Sequence, residues 1–509
     1  MMADAYSSND MSLAALLKGI LDLPKDMMIE VARLTLDSRH VQSGDLFLAT
    51  PGINVDGRDY IDSAISQGAC AVLWECEQGS VPIPIAWRQS PSGTTVPVIA
   101  VEDLTHKVGV LADRFYHQPS NSMFVVGITG TNGKTSSSQF IAQAIDTDSH
   151  CAVMGTMGWG FLGELNETTH TTPDAVRCHQ WLDTLLQQGA KTVAMEVSSH
   201  ALDQGRVNGV AFDCAVFTNL SHEHLDYHGD MVNYAKAKQR LFLFPDTRHH
   251  VINVDDEFGL RLAENLPAGT SCVRYGIDNL AAADISATNI VQTEQGLQFQ
   301  LQTASAVAEV QSQVYGKFNI YNLLATAGVM LSMGYDLKQI VKRLALIHGV
   351  AGRLQVIRAG NQPVFVIDYA HTPDALENVL LAIKAHFHGR LWCVMGCGGD
   401  RDKQKRSKMA AIAEANAEQV VLTNDNPRSE SPQAIVQDMQ AGMRYPDKAM
   451  VELDREAAIV FAYQHAAPTD VILVAGKGHE NYQLIGDKKF PFSDQAVIER
   501  ILKKEAQHV

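Results

Sequence analysis

From Phe124 onward, short apolar runs alternate with polar loops and with mixed segments of helical length. FVVGIT, KTVAMEV, CAVFTNL and HHVINV read as strands, and SSSQFIAQAI reads as a helix between the first two. Such alternation predicts a doubly wound, mostly parallel sheet. A second run of the same kind starts near Arg353, with strands VFVIDY, LWCVMG, QVVLTN and VILVAG, each followed by a polar loop. Ahead of both, short apolar segments such as ACAVLW and VPVIAV lie between turn-rich stretches, as in a small α/β domain. YHQPSNS, residues 116–122, reads as a linker. The expectation is an α/β chain of three domains, 1–118, 119–350 and 351–509, the last Rossmann-like. Ligands in open α/β sheets bind outside the carboxyl ends of the strands, so the loops after the strands are where chemistry is to be sought.

Composition narrows the classes. A chain of 509 residues is too long for one core and suggests about three domains. A formal net charge of -16 argues against non-specific nucleic-acid binding, although a few well-placed Lys and Arg can still meet an anionic substrate. No apolar run is long enough to cross a bilayer. MMADAYSSNDMSLAALL has no basic region ahead of its apolar run, so no signal peptide is expected. The eight cysteines are scattered without a CxxC pair, and Cys393 and Cys397 are the closest two. Reduced thiols in a cytoplasmic protein are expected.

GITGTNGKTSS, residues 127–137, stands between a predicted strand and a predicted helix and has the Gly-Lys-Thr core of a phosphate loop. Glycines let backbone N–H groups wrap phosphates, Lys134 supplies a cation, and Thr135 offers a hydroxyl to Mg²⁺. The glycines fall at Gly127, Gly130 and Gly133, and Ile128 stands where the strict pattern has its first glycine. The central domain is thus expected to be P-loop ATPase-like. No Asn-Lys-x-Asp is present, which argues against a switch GTPase. Glu196 ends the apolar strand AMEV, and a carboxylate there is costly unless used. His222, His224 and His228 follow the next strand, but without HExxH or nearby cysteines zinc is not favoured. One imidazole with hard oxygen ligands suits Mg²⁺ or Mn²⁺.

Taken in order, GITGTNGKTS, HTTPDA, MEVSSH, FTNLSHEHLDYHG, GKFNIYN, GVAGRLQ, DYAHTPDAL, GCGGDRD, DNPR and AGKGHE resemble the Mur ligase family over nearly the whole chain, most closely its MurE-type branch. That branch adds the third amino acid of the peptidoglycan stem peptide. The resemblance implies ATP-driven amide formation through an acyl phosphate, by a cytoplasmic and mostly monomeric enzyme with no membrane insertion. It implies an ATP site at Gly130, Thr131, Asn132, Gly133, Lys134, Thr135, Ser136, Asn319, Arg353, Asp368 and His371. Thr135, Glu196, His224 and Lys238 would hold Mg²⁺, with Lys238 modified to a carbamate. Lys238 by itself reads as a solvated helix lysine, with Lys236 a nearby rival. Catalytic roles fall to Lys134, Lys238, His224 and Glu196. Ser38, Arg39, Thr171, Thr172, Ser198, Gln204 and Arg206 match positions holding UDP-MurNAc-L-Ala-D-Glu. Arg401, Asp425, Asn426, Pro427, Arg428, Gly476 and Glu480 match positions holding the incoming amino acid. Pro173 and Asp174 fall where family members vary.

The incoming amino acid in this branch is usually meso-diaminopimelate or L-lysine, which differ by one distal carboxylate. A pocket for the former must pair that anion, and arginine does so in a planar, bidentate way. Arg428 in DNPR therefore reads as the selector, against the plain alternative of a turn arginine. Glu480 reads as the receptor of the distal ammonium. A folylpolyglutamate synthase-like relative is disfavoured by DNPR, GCGGDRD and the N-terminal domain. A nucleotide switch without turnover is disfavoured by intact Lys134, Glu196, His224 and Lys238.

Overall fold

A computed structural model describes residues 11–506 apart from 26, 53–54, 78 and 80–84. It is α/β throughout, and the chain divides into two compact units. The first holds residues up to 275 with 281–283 and 328–334; the second holds 276–280, 284–327 and 335 onward.

The first unit contains two larger sheets besides the short pair Met11–Ser12 and Glu30–Val31. The N-terminal one orders its strands Arg33–Thr35, Asp45–Ala49, Ala71–Cys76, Thr95–Glu102 and Ile85–Gln89, parallel except at the last pair. Leu46, Leu48, Leu73 and Ile99 pack with Leu104, Val108 and Leu111 of the helix Leu104–Phe115. Ala175 and Val176 of the helix Ala175–Gln187 complete that core, so it is continuous with the second sheet. The segment expected to be a linker is part of this packing. Residues Pro119–Ser122 form a short 3₁₀ turn with Pro119 and Ser120 buried, and the Ser120 hydroxyl accepts from Ala211 N at 3.0 Å.

In the second sheet, Phe124–Thr129 lies between Thr192–Glu196 and Cys214–Phe217, all parallel. Cys151–Gly155 and His249–Asn253 flank them in the same direction. These strands are buried along almost their whole length, as parallel strands covered on both faces must be. The register puts Glu196 beside Ile128 and Phe217 beside Thr129. Three loops therefore leave the sheet together at its carboxyl edge.

The second unit carries an antiparallel meander, Ile285–Thr293, Gly296–Thr303 and Val307–Ser312, and a six-stranded sheet. The sheet order is Gln355–Ile357, Val364–Asp368, Val471–Ala475, Leu391–Met395, Gln419–Leu422 and Met450–Val451, with only the first strand antiparallel. The four strands expected from the apolar runs are all present. Asp368, Ala475, Met395 and Leu422 stand in register, so the loops carrying DYAH, AGKGHE, GCGGDRD and DNPR emerge from one edge.

Candidate functional site

In the first unit the phosphate loop follows its strand and opens the helix Lys134–Ser149. Gly130 has φ 151°, and a Cβ there would lie 1.8 Å from Thr218 Oγ1. Only glycine fits that close approach. Neighbouring segments hold the loop open. Thr131 Oγ1 meets Tyr234 Oη at 3.1 Å and accepts from Ser221 N at 3.0 Å, and Asn132 N donates to Asn219 Oδ1 at 2.9 Å. Lys134 Nζ folds back onto the carbonyls of Gly130 (2.9 Å) and Thr131 (2.8 Å), within the loop that would wrap phosphates. Ser136 lies buried in the first turn of the helix.

Glu196 is 1% exposed. Its Oε2 accepts from the Thr135 hydroxyl at 2.9 Å and from the Thr156 hydroxyl at 3.1 Å, and its Oε1 accepts from Thr156 N at 2.9 Å. Among the described residues no cation pairs with it. A buried anion satisfied only by neutral donors, next to a phosphate loop, fits a hard divalent cation. Among the described residues no three His, Cys, Asp or Glu side chains form a closed metal cage.

Lys238 is not on a solvated face. It is 1% exposed, donates to Gly130 O at 2.7 Å and lies 4.5 Å from the centre of the Tyr234 ring. Burial, with the nearby Lys134 cation adding to it, pushes its pKa well below the usual lysine value. His224 sits at φ 57°, 3.7 Å from the Glu223 carboxylate and edge-on to His200. Burial lowers its pKa, and that of His200 falls to about 4 for the same reason, helped by His224 and His228. No hydrogen bond joins His224 to Glu196. His228 is tied instead to the Ser199 hydroxyl at 3.0 Å.

The residues matched to the nucleotide-peptide form a second group beside this one. The Thr172 hydroxyl donates to Glu196 O at 2.9 Å and accepts from Ser198 N at 3.1 Å, and Thr171 Oγ1 lies 3.0 Å from Thr156 Oγ1. Ser198 caps the following helix by accepting from Ala201 N. Arg206 donates to Gln204 Oε1 (2.8 Å) and Thr172 O (3.2 Å) and faces a pocket of about 240 Å³. Glu167, His170, Asp174, Arg177 and Trp181 share that pocket. Arg177 and Trp181 lie one and two turns into an amphipathic helix, and nothing in the sequence pattern singled them out. Ser38 and Arg39 lie apart, in a 3₁₀ turn of the N-terminal sheet. There Arg39 pairs with Asp37 at 2.7 Å and holds that carboxyl at a pKa of about 2.

The second unit holds the other predicted residues. Asp368, at its strand end, accepts from Leu354 N (2.6 Å) and Ala370 N (2.7 Å), and burial lifts its pKa to about 6 against the pull of Arg353. The Arg353 guanidinium stacks 4.6 Å from the Tyr369 ring centre, with its Nε buried and unpartnered. His371 Nδ1 lies 2.9 Å from Tyr369 O. Asn319 is buried at the start of the helix Phe318–Ser332, donating to Tyr315 O and accepting from Asn322.

The DNPR loop is built from three directions. Arg428 has φ 51°, rare for a side chain of its size. Its N–H donates to Leu484 O at 3.0 Å, and its carbonyl accepts from Gly486 N at 2.8 Å. Its guanidinium donates to Gly399 O at 2.7 Å and pairs with no carboxylate among the described residues. Gly399 cannot be enlarged, because a Cβ would lie 1.9 Å from Pro427 O. Below the loop, fully buried Arg406 binds both Glu430 oxygens at 2.8 and 2.9 Å, and Glu430 in turn accepts from Asp400 N. Asn426 donates to Glu480 Oε2 at 2.9 Å. The Asp425 carboxyl is buried against Gly476, whose φ is 114°, and burial raises its pKa. Arg401 is exposed at the rim.

A phosphate loop whose threonine meets a buried carboxylate, on a parallel sheet, defines a nucleotide-binding chain of the P-loop class. Models of the Mur ligase family match three stretches: "Mur ligase family, catalytic domain" over 30–116, "Mur ligase middle domain" over 128–330 and "Mur ligase, glutamate ligase domain" over 352–478. A Coxiella burnetii UDP-N-acetylmuramoyl-L-alanyl-D-glutamate–2,6-diaminopimelate ligase is 47% identical over 93% of this chain and 95% of its own length. The Pseudomonas aeruginosa protein of that name is 46% identical over 94% and 96%. A solved structure of a ligase of that name, 35% identical, superposes with a TM-score of 0.72 over 98% of this chain and 100% of that one. The chain belongs to the Mur ligase family.

Proposed function

We propose that the chain is an ATP-dependent ligase that joins meso-diaminopimelate to UDP-MurNAc-L-Ala-D-Glu in cytoplasmic peptidoglycan precursor synthesis. The observation that carries the amino-acid assignment is Arg428, a guanidinium fixed by Gly399 O and by a pinned backbone, yet without a carboxylate partner among the described residues. The similarity to ligases named for 2,6-diaminopimelate supports the same reading. Among the described residues no helix is long and apolar enough to cross a membrane, which suits a soluble nucleotide-linked substrate.

The D-Glu carboxylate of the acceptor attacks the γ-phosphorus of ATP, and ADP leaves. Lys134 turns from its loop carbonyls to the phosphates, and the loop N–H groups offset the charge that builds on the phosphoryl oxygens. The amine of diaminopimelate then attacks the acyl carbon, loses its proton, and phosphate leaves as the amide forms. Thr135, Glu196, His224 and Lys238 would hold Mg²⁺, which neutralises phosphate charge. For Lys238 this requires carbamylation. Its amine, whose pKa burial lowers, would add in its neutral form to CO₂: a C–N bond forms, an N–H proton is lost, and the side chain becomes an anionic ligand. Arg353 and Asp368 would contact the nucleotide, Thr171, Thr172, Ser198, Gln204 and Arg206 the acceptor, and Glu480 the distal ammonium. The division into 1–118, 119–350 and 351–509 is our reading of how these tasks are shared.

The test is phosphate release with ATP, Mg²⁺ and the acceptor, with meso-diaminopimelate and L-lysine in parallel. Release should require meso-diaminopimelate. Arg428→Ala should cost it about 3–5 kcal/mol, the cost of stranding a buried charge, or roughly two to three and a half decades in kcat/KM. Turnover with lysine alone would overturn the selector.

A further inference from the structure

Lys477, in the motif AGKGHE, is used by none of these roles. Lys477 is 0% exposed, although it is a lysine in a loop. Its Nζ donates to Glu480 Oε2 at 3.0 Å and to Asn426 Oδ1 at 3.1 Å, and it lies 5.7 Å from the Tyr482 ring centre. Asn426 Nδ2 donates to the same glutamate oxygen at 2.9 Å, and Leu484 N donates to the same amide oxygen at 2.9 Å. The ammonium and the Leu484 N–H together set the orientations in this cluster. Two donors facing one end of the Asn426 amide make that end the oxygen, which points its NH₂ at Glu480. Two donors then occupy Glu480 Oε2, and Oε1 is left as the oxygen with accepting capacity to spare.

We propose that Lys477 is a positioning residue for amino-acid selection, locking Asn426 and Glu480 so that the remaining Glu480 oxygen receives the substrate's distal ammonium. This rests on the diaminopimelate reading of the pocket. Lys477 touches no substrate itself. It acts by fixing the acceptor geometry, as buried, charge-assisted hydrogen bonds do. Without it, Leu484 N alone faces the Asn426 amide oxygen and Glu480 Oε2 keeps a single donor, so the carboxylate is free to rotate toward solvent.

The test compares meso-diaminopimelate with 2-aminopimelic acid, which has the same chain and distal carboxylate but no distal amine. In Lys477→Met, KM for meso-diaminopimelate should rise about ten- to a hundredfold, the worth of a charged hydrogen bond. KM for ATP and for the acceptor should stay put. The preference for meso-diaminopimelate over 2-aminopimelic acid should shrink by a similar factor. Glu480→Gln should shrink that preference too, and adding it to Lys477→Met should cost little more, because both act on one interaction. A merely structural lysine would lower the active fraction, and hence kcat for both amino acids, without moving the preference. An unchanged preference in Lys477→Met, or additive effects in the double variant, overturns the proposal. If Lys477→Met does not fold, Lys477→Gln is read by the same ratio, and a Glu480→Gln variant with wild-type preference overturns it alone. Wild-type protein that ignores meso-diaminopimelate sinks the ligase reading. Wild-type dependence with an unaltered Lys477→Met preference sinks this inference only.

Discussion

Two buried lysines, one in each unit, have opposite kinds of partner. Lys238, beside the phosphate loop, has a carbonyl and an aromatic face for company and no carboxylate hydrogen-bonded to it, and burial drives it toward the neutral amine. Lys477, in the amino-acid pocket, is as deeply buried but bonded to Glu480. The contrast teaches that burial alone does not decide the chemistry of a base; the partner does. The same division recurs elsewhere. His250, 0% exposed in the sheet of the first unit, has neither ring nitrogen hydrogen-bonded, and its pKa falls to about 4. Arg455 is equally buried but forked onto Asp494 at 2.8 and 2.9 Å, and it also donates to Ala475 O and Asn424 O.

The largest effect should come from the unpaired lysine. Lys238→Met should lower turnover by about a hundredfold or more, the usual cost of removing a group that offsets transition-state charge, with little change in thermal unfolding. Wild-type protein equilibrated with ¹³C-bicarbonate should show a carbamate carbon resonance that the variant lacks. A Lys238→Met protein with full turnover would erase the functional half of the contrast.

Next comes the paired arginine. Asp494→Asn strands a guanidinium with no exposure and should destabilise the second unit by about 3–5 kcal/mol in denaturant titration. A loss below about 1 kcal/mol would mean that the backbone carbonyls suffice.

This pairing explains what the sequence could and could not disclose. Strand-end positions such as Glu196 and Asp368, and the glycine spacing of the phosphate loop, are written in local pattern, and the structure places them at the carboxyl edges. The burial of Lys238 is not local. On MVNYAKAKQ it looks solvated, and only Tyr234, one turn earlier and also buried, hints at its face. Lys477 owes its role to Asn426, half a hundred residues away, and no periodicity reports such a contact. The segment 116–122 misled for the same reason, since its turn-forming composition is real but Ser120 is held by Ala211.

The smallest effect is the most diagnostic of burial without a partner. His250 has its folded pKa lowered from 6.5 to about 4, so the unfolded state takes up a proton first as pH falls. The stability it leaves intact above pH 6.5 should therefore be lost progressively between about 6.5 and 4, with a slope of at most about 1.4 kcal/mol per pH unit. His250→Leu should remove that part of the slope. An identical pH profile in the variant would show that the imidazole finds a partner in solution.

The hairpin Tyr482–Ile485 and Lys488–Pro491 carries a consequence of its own, because Leu484 and Gly486 clasp the backbone of Arg428 from a distant part of the chain. On the proposed reading of Arg428, substrate choice is therefore inherited by two segments jointly. Grafting DNPR alone into a relative would transplant the letters without the clasp that makes a left-handed arginine tolerable. Conversely, drift in this outlying ribbon could retune the enzyme's diet while every residue lining the pocket stayed the same.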